Sequence, residues 1–99
     1  MRMMLKVTFP TEVANRAMKD GSFARILEAT MAQVKPEAAY FLANDGCRCA
    51  MLFFDMQDAS DIPAIVEPLF AGLNVAVELQ PVMNMDDLRK GLSAVPQVT

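Results

Sequence analysis

The sequence of 99 residues contains no histidine and no long hydrophobic run. Histidine is the commonest general base near neutral pH and a frequent ligand of metal ions and haem iron. Its absence excludes most of that chemistry. The longest apolar run, residues 49–54, is far shorter than the roughly 20 residues of a membrane-spanning helix. We therefore expect no membrane segment and no haem.

The basic residues are few and scattered, which argues against binding of nucleic acid. Nine Lys and Arg stand against twelve Asp and Glu, and the net charge is −3. Lys6 interrupts the N-terminal apolar residues before the core of a signal peptide can form. Cys47 and Cys49 lie two residues apart, a spacing that puts both on one face of a strand and is awkward for a mutual disulfide. We expect reduced thiols and a cytoplasmic location.

The composition is rich in apolar residues for so short a chain. Hydrophobic residues make up 54% and charged residues 21%. We expect one domain over residues 1–92, a loose tail over residues 93–99, and a partner that buries surface beyond the core of one chain.

Apolar periodicity predicts the order strand, helix, strand, strand, helix, strand, followed by a short terminal helix. The first helix should break at Asp20-Gly21-Ser22, and Asn44-Asp45-Gly46 should form a hairpin turn. This order is the split βαβ arrangement, an α+β fold of ferredoxin-like βαββαβ topology with an antiparallel sheet and helices on one face. The predicted segments are residues 2–9, 11–34, 38–43, 47–56, 60–72, 74–80 and 84–91.

The third predicted strand is apolar on both sides, although an antiparallel sheet that is wet on one side should alternate. Cys49, Met51 and Phe53 point one way. Ala50, Leu52, Phe54 and Met56 point the other way. We expect Leu52, Phe54 and Met56 to lie on the face that the helices leave free. A second copy of the chain should cover that face in a homodimer.

Two stretches carry a resemblance to a known superfamily. These are residues 60–70 (SDIPAIVEPLF) and residues 77–83 (VELQPVM), the latter followed by Asp86-Asp87-Leu88. With the element order, they resemble the dimeric α+β barrel superfamily, which includes muconolactone isomerase and antibiotic-biosynthesis monooxygenases. The resemblance implies two sheets packed into a barrel, with sites inside the barrel or between sheet and helices. It says little about chemistry, because the histidine of haem-dependent members and the tryptophan and histidine of several monooxygenases are missing here.

Lys6 and Glu78 are the polar residues most relevant to function. They lie on strands that this topology makes neighbours, both on the side opposite the helix-packing residues. A lysine and a glutamate in a partly dry cavity could act as acid and base in a proton transfer such as lactone isomerisation. The simpler interpretation is an ion pair that fixes the register of the sheet. Thr8, Tyr40 and Arg48 are candidate ligand-binding residues, since an arginine and a tyrosine can orient an anion.

Cys47, Cys49 and nine methionines suggest Cu(I), which prefers soft ligands. Two cysteines on a strand are better explained as small packed side chains, so we expect no metal and no cofactor. Two functions remain open. The chain is either a dimer that binds or isomerises a small acidic or aromatic metabolite, or a non-catalytic association module whose barrel is filled by Met4, Leu52, Phe54 and Met56.

Overall fold

A computed structural model describes residues 1–97 and gives an α+β fold with one four-stranded sheet. Every neighbouring pair of strands is antiparallel, and the strand order is β2-β3-β1-β4. The elements are β1 (Arg2–Phe9), α1 (Thr11–Asp20), α2 (Ser22–Val34), β2 (Ala38–Asn44), β3 (Cys47–Asp55), a 3₁₀ turn (Ala59–Asp61), α3 (Ile62–Leu73), β4 (Ala76–Pro81) and α4 (Met85–Ser93). Over the described range, none of the helices is long and apolar enough to cross a membrane.

The predicted break in the first helix is confirmed. Gly21 lies between α1 and α2 with a φ of +83°, a conformation that glycine adopts without the steric penalty of a side chain. The Ser22 amide donates a hydrogen bond to the Asp20 carboxylate at 2.8 Å. The chain therefore turns at this point with the first amide of α2 bonded.

The predicted hairpin between β2 and β3 is also confirmed. Asp45 and Gly46 have φ values of +51° and +76°. Two successive positive φ angles are typical of the tight turns whose twist matches that of the flanking strands.

Several helix ends differ from the prediction by one or two residues. α3 extends past Gly72 to Leu73, and α4 extends past Gly91 to Ser93. Pro68 lies inside α3, where a proline usually bends or ends a helix, but the helix continues through it. Pro68 and Ala64 are both exposed, so the carbonyl that loses its helical partner can bond to water. Of the predicted tail, Ser93 belongs to α4, and residues 98 and 99 lie outside the described residues.

The hydrophobic core lies between the helices and one face of the sheet. Its sheet residues alternate along β1 and β3, and α3 supplies most of the helical side. The core includes Met3, Leu5, Val7, Phe9, Ala50, Leu52, Phe54, Ile65, Val66, Leu69 and Leu73.

The expectation that Leu52, Phe54 and Met56 lie on the free face is wrong. They are only 1%, 1% and 8% exposed and belong to the core. Leu52 is paired with Leu5 in the sheet register and Phe54 with Met3, and residues directly opposite each other share a face. The free face is instead formed by Arg2, Met4, Lys6 and Thr8 with their cross-strand neighbours, chiefly Tyr40, Leu42, Cys49, Met51, Phe53, Glu78 and Gln80. We call this the open face.

Candidate functional site

The centre of the open face is a row of four side chains, one from each strand. In the register, Lys6 is opposite both Met51 and Glu78, and Met51 is opposite Tyr40. We call Tyr40, Met51, Lys6 and Glu78 the central row. The two predicted catalytic residues are thus adjacent and on one face, because alternation along β1 and β4 has the period of two that the sequence indicated.

Lys6 and Glu78 form an ion pair of moderate length. Lys6 Nζ lies 3.6 Å from Glu78 Oε2, and the side chains are 25% and 68% exposed. The separation is longer than a hydrogen bond, so the ammonium group keeps donors for another acceptor. Lysine therefore contributes a half-enclosed cation, while the carboxylate lies at the edge of the sheet in contact with water.

Apolar and aromatic side chains surround this pair. Met4 and Phe53 are opposite each other next to the central row, and both are half-buried. The ring of Tyr40 meets the ring of Phe53 edge-on, with centroids 6.5 Å apart. Such an arrangement favours aromatic contacts and leaves the exposed phenol of Tyr40 available to a ligand or a partner chain.

Thr8, which the sequence suggested as a ligand-binding residue, lies on the same face as Lys6, two residues along β1. Its hydroxyl points towards Cys49 Sγ at 4.0 Å.

Cys49 is buried and Cys47 is half-buried. Within residues 1–97 no group of three or more Cys, Asp or Glu side chains is placed to hold a metal ion.

Arg48 is not brought together with the other candidates. It is opposite Phe9 in the register and therefore points to the helix side of the sheet. Its Nη1 donates a hydrogen bond to Asn15 Oδ1 of α1 at 2.9 Å. Of the five predicted site residues, the structure thus places Lys6, Thr8, Tyr40 and Glu78 on the open face and Arg48 on the other.

Two apolar surfaces of the structure were not predicted from the sequence. One is a groove beside the β2–β3 hairpin, where Phe41 is exposed. The other is the apolar side of α4, whose spacing at Met85, Leu88 and Leu92 already indicates a helix with one apolar stripe. That spacing could have been read from the sequence. The groove depends on how α1 and α2 lie beside the hairpin and has no signal in the sequence.

The profile of one protein family, "Domain of unknown function (DUF3303)", matches residues 1–96. A search of curated proteins found no match. A search of solved structures found none either. Because the family profile covers nearly the whole chain, this protein belongs to the DUF3303 family.

Proposed function

We propose that two copies of this chain pair through their open faces in a ferredoxin-like dimeric α/β barrel, and that the barrel binds a small acidic or aromatic metabolite beside the central row. The observation that carries this proposal is the half-enclosed Lys6–Glu78 pair among apolar side chains, on the face of the sheet opposite the core that the helices of residues 1–97 form. The proposal includes the cytoplasmic location expected from the reduced cysteines.

The element order and the strand order support the ferredoxin-like part. The chain consists of two βαβ units, and in each unit helices connect two strands of the sheet. The strand order has β1 and β3 in the centre and β2 and β4 at the edges, as in ferredoxin-like folds. Both crossovers lie on the side of the sheet that holds the core.

Three apolar side chains on the open face support pairing. Met4, Met51 and Phe53 lie side by side on the central strands β1 and β3, with Tyr40 and Leu42 exposed beside them on the edge strand β2. A continuous apolar patch of this kind usually marks an interface on a soluble chain. Isologous pairing is the commonest way to cover such a patch, since one surface serves both partners.

The central row supports binding of an anion with an aromatic or apolar body. A partner sheet would exclude water from Lys6, and electrostatic attraction strengthens as the local dielectric falls. Lys6 would bind the acidic group and Tyr40 and Phe53 would contact the apolar part. If the ligand is also isomerised, the Glu78 carboxylate removes a proton from carbon and the Lys6 ammonium supplies a proton to the neighbouring atom.

The second candidate is the non-catalytic association module. The large side chains of Met4, Met51 and Phe53 on the open face favour it. The two methionines are flexible and can fill irregular gaps between packed sheets. Among the residues expected to fill the barrel, only Met4 lies on the open face.

Thermal denaturation with a panel of small carboxylates tests the two candidates. Benzoate, cinnamate and succinate serve as probes, because a ligand selective for the folded state raises the transition temperature. The binding proposal expects stabilisation by at least one aromatic acid, its loss in Lys6→Met, and its retention in Lys19→Met, which removes an exposed lysine of α1. A dimer that no probe stabilises supports the module, and a wild-type chain that sediments as a monomer overturns both.

A further inference from the structure

Helix α4 has an apolar stripe that is largely exposed over the described residues 1–97. Met85, Leu88 and Leu92 recur at helical spacing and are 59%, 38% and 59% exposed. No residue of α4 is buried. The helix is nevertheless well formed, since Asn84 and Asp87 make a reciprocal capping box at its start.

The protomer is elongated, and no residue of α4 is buried against the rest of it. Its dimensions are 60 × 28 × 19 Å, and its radius of gyration is 16.2 Å, whereas a compact domain of about 100 residues has a radius of about 13 Å. At its start α4 is joined to the body by Arg2, which pairs with Asp87 at 3.3 Å and with Glu37 at 2.5 Å. The hydrogen bond that Arg2 Nε donates to Glu37 Oε1 raises the pKa of Arg2 above its ordinary value, so this tether keeps its charge. We call α4 the arm.

A groove of matching character lies beside the β2–β3 hairpin on the helix side of the sheet. It has a volume of about 620 Å³ and is mostly apolar. Phe41 and Met18, which line it, are 58% and 48% exposed, and Phe9 and Phe23 form its inner wall. Cys47 and Arg48 also line it. We call it the hairpin groove.

The arm and the hairpin groove lie at diagonally opposite corners of the sheet. The arm follows β4, at one edge of the sheet, and begins beside Arg2 at the start of β1. The groove lies at the opposite edge, beside β2, and reaches Phe9 at the end of β1. Two sheets that stack face to face can be related by a two-fold axis that lies between them, perpendicular to this diagonal. Such an axis places the arm corner of one sheet over the groove corner of the other. Each arm then meets the β2 edge of the other copy, and it enters the groove by passing round that edge to the helix side.

We propose that the arm of each protomer packs its apolar stripe into the hairpin groove of a second copy. This inference rests on the proposed dimer and adds a second contact to it. Pairing of the open faces alone would leave the apolar stripe of the arm and the apolar lining of the groove exposed to water, and contact between them would bury both.

Charge is compatible with the same contact. Among residues 1–97, no carboxylate lies within ion-pair distance of the Arg48 guanidinium in the groove, whose partner is the neutral amide of Asn15. The first turn of the arm carries Asp86, an exposed carboxylate whose ion-pair partner within the arm is Arg89 at 3.6 Å. A partner's arm therefore supplies the apolar side chains, and its Asp86 can pair with Arg48 in place of Arg89.

Disulfide trapping tests this contact, because Cys47 already lines the groove. The variant Leu92→Cys is incubated with oxidised glutathione, which accepts the two electrons as the two thiols join, and is analysed on a non-reducing gel. We expect a covalent dimer as the main product, and its loss when Cys47→Ser is added. Lys90→Cys places a thiol on the polar side of the arm and should give at least fivefold less dimer. The wild-type chain measures the background from Cys47 alone.

Sedimentation of the reduced proteins separates this inference from the proposed dimer. We expect Leu92→Asp to raise the dissociation constant of the dimer at least tenfold and Lys90→Asp to change it less than threefold. A wild-type dimer that Leu92→Asp does not weaken, or whose Leu92→Cys variant fails to cross-link or cross-links within one chain, overturns the arm contact and leaves the dimer standing. A monomeric wild-type chain overturns both.

Discussion

The two faces of the sheet use similar residues in different environments. On the helix side, Leu5 and Leu52 are opposite each other and have no contact with water. On the open face one residue further along, Lys6 is opposite Met51, and both keep partial contact with solvent. Along β3 the sequence is apolar on both faces, so hydrophobicity alone does not distinguish them. The side of the sheet that receives the helices is decided by β1, where the residues on the helix side are all apolar and those on the open face, except Met4, are polar.

The largest expected effect comes from removing packing on the helix side. Leu52→Ala should lower the free energy of unfolding by about 2–5 kcal/mol, because a cavity is left in a core that cannot collapse fully. The matched change on the other face, Met51→Ala, should cost less than half as much at protein concentrations that favour the monomer. Urea denaturation of both variants measures the difference. Equal losses would show that the two faces are equally well packed within one chain.

An acidic residue on the open face should act on assembly rather than on folding. Phe53→Asp should raise the dissociation constant of the dimer about 30-fold or more, equivalent to about 2 kcal/mol, since a charge would be buried against a partner sheet. Phe54→Asp would instead disrupt the core and is not a clean test of assembly. Phe70→Asp, a change at an exposed phenylalanine of α3, is the control. Analytical ultracentrifugation that finds Phe53→Asp as dimeric as Phe70→Asp would contradict pairing through this face.

The ion pair of the central row should be worth more in the dimer than in the monomer. A partly exposed pair contributes about 0.2–1 kcal/mol, whereas removing one partner from a buried pair costs several kcal/mol. In the dimer, Glu78→Ala should therefore cost on the order of 1–4 kcal/mol, and Lys6→Met with Glu78→Leu should recover much of it. In the background of Phe53→Asp the coupling should fall below about 0.5 kcal/mol. Equal coupling in both backgrounds would mean that no partner covers the row.

The same cycle separates a structural ion pair from a working site. If the pair is structural, stability changes and the double variant recovers it. If Lys6 and Glu78 bind or transform a ligand, each single change should remove stabilisation by the carboxylate probe. The free energy of unfolding without ligand should then stay within about 1 kcal/mol of wild type. If both variants still bind the probe, the ligand site does not lie at the central row.

The smallest expected effect is a pH dependence at the start of α3. Hydrogen bonds from Ser60 hold the pKa of the Asp58 carboxyl below its ordinary value. A carboxyl with a lowered pKa in the folded state stabilises the fold above its unfolded pKa of about 3.9, and this stabilisation is lost as the pH falls through the folded pKa. Asp58→Asn keeps a capping side chain but does not titrate, so its melting temperature should fall less steeply than wild type below about pH 4. If the melting temperatures of wild type and Asp58→Asn fall in parallel with pH, the Asp58 carboxyl does not contribute to the pH dependence of stability.

Local chemistry made the turns and the element order predictable. The break at Gly21, the turn at Asp45 and Gly46, and the cap at Asn84 each depend on a few adjacent residues. The contact between Lys6 and Glu78 was predictable for a related reason, because two alternating strands that are neighbours in a known topology place such residues on one face. The exact helix ends could not be predicted from the sequence. The continuation of α3 through Pro68 could not be predicted either, since it depends on which side of the helix is exposed to water.

The sequence by itself determined the α+β class, the order of the elements and the pairing of Lys6 with Glu78, because backbone periodicity and turn chemistry act over a few residues. Only the tertiary structure decided that Leu52, Phe54 and Met56 face the helices, that Arg48 lies apart from the other candidates, and that α4 extends from the body. These features depend on the register between strands distant in sequence and on how helices pack on a sheet. A segment that is apolar on both sides is compatible with either face until its neighbours are fixed.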